Sequence, residues 1–86
     1  LNMSSLKNLR EIVLQKNDLT SLPQGLTNLP KLETLILFSN KLSSLPSDIG
    51  NLQNLTYLNV KKNNLKELPA SIYHLSKLEF LDASEN

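Results

Sequence analysis

The chain has 86 residues, 40% of them apolar, with two Phe, two Tyr, no Trp and no Cys. That length allows one small domain at most, and without Cys neither a disulfide nor a thiolate metal site can staple it. Nine basic and eight acidic residues leave a net charge of +1, too weak a field to imply nucleic acid or an anionic membrane, and no apolar run reaches the roughly 18 residues that mark a membrane helix.

In chain order, residues 1–8 match the tail of a longer pattern, with Met3 and Leu6 falling where Leu26 and Leu29 fall later. Three full units of 23 residues follow, at 9–31, 32–54 and 55–77, and residues 78–86 match the head of a fourth. The pattern is cut inside a unit at both ends, so the chain reads as a piece of a longer protein. The lack of a visible signal peptide then carries little weight.

Each unit opens on Leu9, Leu32, Leu55 or Leu78. Ile12, Leu35, Leu58 and Leu81 come three residues later, and Leu14, Leu37, Val60 and Ala83 two after that. A spacing of two puts both side chains on one face of a strand. The strands should be only about three to five residues long, stacked in parallel roughly 4.8 Å apart. Next comes an Asn column, Asn17, Asn40, Asn63 and Asn86. A buried amide in an apolar interior makes sense only if it is hydrogen-bonded, so these side chains are expected to satisfy their own turn and that of the next layer.

Leu19, Leu42 and Leu65 follow, then Leu22 with Pro23, Leu45 with Pro46 and Leu68 with Pro69. Proline suits a first helical turn, so a short helical or 3₁₀ stretch is expected before Leu29, Leu52 and Leu75. Pro30 stands where later units carry Gln53 and Ser76, and should make the first return segment more extended.

These columns resemble the leucine-rich repeat family, whose consensus L-x-x-L-x-L-x-x-N-x-L is one of the standard solenoid patterns. The 23-residue form with L-P-x-x-I-x-x-L looks most like intracellular members, the Ras-group and Scribble-like repeat proteins. The resemblance implies an α/β repeat fold: a right-handed solenoid with a parallel sheet on the concave face and short helical, 3₁₀ or extended return segments on the convex face. It also implies a protein-binding scaffold within a larger signalling protein, cytoplasmic, with small GTPases or other signalling proteins among the partner classes.

Function must sit at positions the repeat leaves free. Alternation points three columns away from the core: Glu11, Thr34, Tyr57 and Phe80; Val13, Ile36, Asn59 and Asp82; and Gln15, Phe38, Lys61 and Ser84. Lys16, Ser39, Lys62 and Glu85 lie just beyond. Val13, Ile36, Phe38, Tyr57 and Phe80 should form a diagonal apolar patch, and Asn59, Lys61 and Asp82 its polar surround. Contiguous apolar surface with a polar rim marks protein-binding sites; the bland alternative is that these residues simply suit a pleated surface. The competing functional readings are a structural spacer, or a recruiting arm of an enzyme whose catalytic domain lies elsewhere.

Other signals are weak. The one histidine, His74, has no partners for a zinc shell and should be an exposed surface residue. Glu79 and Asp82 face differently on a strand, and nothing supplies a nucleophile, so no catalysis, metal or cofactor is expected. The triplets Asn2-Met3-Ser4 and Asn54-Leu55-Thr56 match the glycosylation pattern, but such triplets arise easily in Asn- and Ser-rich sequence. Terminal layers of a solenoid show apolar faces, so end-to-end self-association of an uncapped piece is also expected.

Overall fold

In the computed structural model, which describes residues 2–86, four three-residue strands form one parallel sheet. They are β1 (Glu11–Val13), β2 (Thr34–Ile36), β3 (Tyr57–Asn59) and β4 (Phe80–Asp82), in the order β1-β2-β3-β4. Each strand pairs with the next at an offset of one unit: Ile12 opposite Leu35, Leu35 opposite Leu58, Leu58 opposite Leu81. Every residue therefore stacks on its own copy, and the aliphatic columns of the sequence become ladders running through the molecule. Backbone pairing continues past the strands. The Lys16 N–H donates to Phe38 O (3.1 Å), Ser39 N–H to Lys61 O (2.9 Å) and Lys62 N–H to Ser84 O (3.1 Å).

The core is almost entirely aliphatic. Leu32, Leu35, Leu37, Leu42, Leu55 and Leu58 are fully buried. Full burial of such a side chain stabilises by about 1.5–3 kcal/mol relative to exposure. Leu58 has a layer on each side, whereas Leu81 has one and is 40% exposed.

The return segments carry short 3₁₀ helices at Leu26–Asn28, Ile49–Asn51 and Ala70–His74. In each unit the proline carbonyl accepts from the residue three positions on: Leu26 from Pro23, Ile49 from Pro46, Ile72 from Pro69. The third helix starts directly after Pro69, while the first waits for Gly25, whose φ of +87 is left-handed and suits glycine. Gly50 is tight for a different reason: a side chain there would strike the Ser71 carbonyl of the next layer. The space is used instead by a hydrogen bond from Gly50 N–H to Ser71 Oγ (3.0 Å).

Pro30 does not extend the whole first return segment. That segment has a three-residue 3₁₀ helix like the second. The residue before Pro30, Leu29, is more extended than its equivalents, with ψ 110 against 74 for Leu52 and 73 for Leu75. This is the local push of a proline ring on the residue before it, and it stops there.

Candidate functional site

The asparagine column shows how the layers are tied. Asn40 Oδ1 accepts from the Asn17 and Leu19 N–H groups, both at 3.0 Å, and its Nδ2 donates to Leu14 O and Leu37 O, both at 2.9 Å. Asn63 Oδ1 accepts from Leu42 N–H (3.0 Å), and its Nδ2 donates to Leu37 O and Val60 O (3.0 Å each). Asn86 Oδ1 accepts from Asn63 and Leu65 N–H. Each amide thus serves its own turn and the preceding layer, the reverse of the direction expected from sequence. Asn40 and Asn63 are buried (7% and 6% exposed). Asn17 is exposed, and among the described residues its side chain donates only to Gln15 O.

On the other side of the same strands the outward columns stand in register. Val13 is opposite Ile36, and Tyr57 opposite Phe80. The Tyr57 and Phe80 rings stack face to face, 4.4 Å between centroids and 11° between planes. Phe38 lies two residues past Ile36 on the same face, and Ile36 is diagonal in register to Tyr57. Val13 is 47% exposed and Phe80 40%, while Ile36, Phe38 and Tyr57 are half-buried. Both phenylalanines and one of the two tyrosines therefore lie on this face. Tyr73, the other, is 88% exposed on the return side beside the exposed His74.

Three of the polar residues expected around the patch are partly committed to the fold. Asn59 Oδ1 accepts from the Lys61 backbone N–H (3.1 Å), and Asp82 Oδ1 accepts from the Ser84 N–H (3.0 Å) and hydroxyl (2.6 Å). Both side chains curl back over the turn that ends their strand, a local arrangement open to Asn and Asp but not to Val13 and Ile36 in the same column. The Ser84 hydroxyl, then its backbone N–H, hold the Asp82 carboxyl below the usual carboxylate range; Lys61 adds to this and slight desolvation opposes it. Lys61 itself pairs with Glu85 at 3.4 Å.

Sequence reasoning missed the shape of the turn just beyond. Lys16, Ser39, Lys62 and Glu85 all have left-handed φ, between 56 and 60°. None is Gly or Asn, the usual signs of that conformation, so the sequence carried no local signal. Together with Phe38, Asn59, Lys61 and Asp82, three of these residues line a shallow depression of about 310 Å³ at the strand ends. The Asn54 amide is occupied: its Nδ2 donates to Pro30 O (2.8 Å) and its Oδ1 accepts from Lys77 Nζ (2.9 Å).

A family model described as a leucine-rich repeat region matches residues 1–86. Among solved structures, a leucine-rich repeat protein of Leptospira interrogans is similar over 95% of this chain, with a TM-score of 0.79 and 35% sequence identity. The match covers 21% of that protein, so the present chain spans about a fifth of its length. No curated protein matches the chain.

Proposed function

The chain belongs to the leucine-rich repeat family, and from that premise we propose that it holds a protein partner against the open face of its sheet, as one segment of a larger signalling or scaffold protein. Such repeats are generally protein-interaction modules. The observation that carries this reading is the apolar run of Val13, Ile36, Phe38, Tyr57 and Phe80 on one face, with two exposed members and a stacked aromatic pair. The leucine ladders behind the sheet hold that face in place before any partner arrives, so little ordering cost is left for binding. Tyr and Phe supply large rigid contact area, as anchors at interfaces do. Charged residues at the strand ends form the rim, where they steer association more than they strengthen it.

The test uses the full-length chain as bait, identifies the captured partner, and titrates it by calorimetry. The double substitution Phe38→Ser/Tyr57→Ser should weaken binding by at least about tenfold. Tyr73→Ser, on the return side, should leave affinity unchanged. Equal affinity for the wild type and the Phe38/Tyr57 variant, with both still folded, would remove the reading.

A further inference from the structure

We propose that the partner segment bound on this face is acidic: an extended stretch of chain whose Asp or Glu carboxylate sits above Ser39, between the ammonium groups of Lys16 and Lys62. The apolar side chains two and four residues along from it, on the same side of the extended chain, lie against Phe38 and Ile36. This rests on the open-face reading above and adds the chemistry of what is held.

Residues 16, 39 and 62 occupy the same position on three successive layers, just past the strand ends. Their backbone is fixed, since each has left-handed φ and each N–H donates to the adjacent layer. Two strand spacings separate Lys16 from Lys62, about 10 Å. The flexible four-carbon lysine stem lets both ammonium groups reach one anion held midway. Ser39, in the middle layer, lines the depression and can add a hydroxyl donor.

Charge around the depression favours an anion. The described ion pairs are Arg10 with Glu33, Lys41 with Asp18, and Lys61 with Glu85. Lys16 and Lys62 are in none of them. The one carboxylate that lines the depression, Asp82, accepts two hydrogen bonds from Ser84. At the opposite end of the strands the face is bordered by Glu11, Glu33 and Glu79, with Arg10 committed to Glu33. The strand ends thus carry Lys16 and Lys62 outside any described ion pair, with Asp82 and Glu85 toward the last layer, and the strand starts carry Glu11 and Glu79. An acidic segment is repelled from one border and drawn to the other, which fixes its position across the sheet.

Phe38 lines the same depression as the two lysines, so an apolar contact and an ionic contact fall within one short stretch of ligand. An extended chain sends alternate side chains to the same side. Inner strands of a sheet have no free backbone edge, so recognition here works through side chains and not through strand addition.

The probe is a capped, fluorophore-labelled heptapeptide with Glu, Phe and Leu at its second, fourth and sixth positions and Ser between them, so that all three share one side of an extended chain, read by anisotropy against the full-length chain. Two control peptides carry Lys in place of Glu, or Ser in place of Leu and Phe. The Glu peptide should bind at least about tenfold more tightly than the Lys peptide, and raising salt from about 50 to about 300 mM should weaken it several-fold. Lys16→Glu/Lys62→Glu should cost about tenfold for the Glu peptide, while circular dichroism stays unchanged. Lys16→Ala/Lys62→Ala should give a smaller loss in the same direction. Equal or tighter binding of the Lys peptide, indifference to both lysine double variants, or no binding of the Glu peptide would overturn the inference. The two readings separate cleanly: if Phe38→Ser/Tyr57→Ser weakens the captured partner but the lysine variants do not, the acidic ligand falls and the open-face reading stands.

Discussion

The two faces of the sheet are built from the same strands, by alternate residues, and they obey different rules. Facing in, the column Ile12, Leu35, Leu58 and Leu81 repeats almost without change; facing out, Glu11, Thr34, Tyr57 and Phe80 run from an acid through a small hydroxyl to two large aromatics. An inward side chain packs against its own copy in the next layer, so a change in one layer must be accommodated by two others at close-packed density. An outward side chain has only lateral neighbours and solvent, and most substitutions there cost the fold little. In a solenoid, then, repetition marks what holds the molecule together, and departure from it marks surface free to recognise something else.

The sharpest way to break this contrast is to cut two adjacent residues. Leu58→Ala removes a fully buried side chain between two layers and should destabilise by about 2–5 kcal/mol. Tyr57, its neighbour, points the other way; Tyr57→Ser should cost below about 1 kcal/mol, part of it the lost stack on Phe80. Chemical denaturation of both variants checks the pair. Comparable costs would mean that the outward face is part of the core.

A second comparison lies within one column. Asn40→Ala strands two part-buried N–H groups and two carbonyls that the amide now serves. The expected loss is about 2–3 kcal/mol. Asn17→Ala removes only an exposed bond to Gln15 O and should cost less than about 1 kcal/mol. The same residue type at the same position in the repeat thus differs in worth with the number of groups its amide serves. If both substitutions cost the same in denaturant, the amides act within their own turns and not between layers.

These contrasts also show why some of the molecule was legible and some was not. The inward columns could be read because burial in stacked layers restricts residue choice to aliphatic side chains, mostly Leu, Ile and Val, and a fixed period repeats that restriction. The asparagine column was legible for the complementary reason, since a polar residue in phase with the core must bond to something there. Its direction was not, because a period has no sense of before and after. The left-handed turn at Lys16, Ser39, Lys62 and Glu85 left no trace, because the stacked layers impose it on residues with no preference for it. Asn59 and Asp82 look like free surface in the sequence. Their turn bonds depend on a two-residue reach to a backbone N–H that the strand ending creates. Pro30 was over-read, since a ring that restrains one neighbour cannot by itself reset a segment held by the layers around it.

The smallest expected effect comes from the turns held by Asn59 and Asp82, which share a backbone N–H bond and differ in the added Ser84 hydroxyl and in charge. Asn59 and Asp82 hold equivalent turns through the same kind of bond, but only Asp82 titrates. The Ser84 hydroxyl and N–H hold its folded pKa below the unfolded value. Whatever stability this turn adds is therefore present above the unfolded pKa and lost as pH falls through the folded one. Followed by NMR, the Ser84 amide should shift in acid with a midpoint below that of an ordinary Asp, while the Lys61 amide, held by Asn59, should show no titration of its own carbonyl partner. Ser84→Ala should move the Asp82 midpoint upward, because it deletes the largest of the stabilising bonds to the ionised form. The stability difference between that variant and the wild type should close in strong acid, where the carboxyl is protonated folded or unfolded. A Ser84 amide that titrates with an ordinary carboxylate midpoint would mean the turn is not held this way in solution, and would return Asp82 to the free outward face.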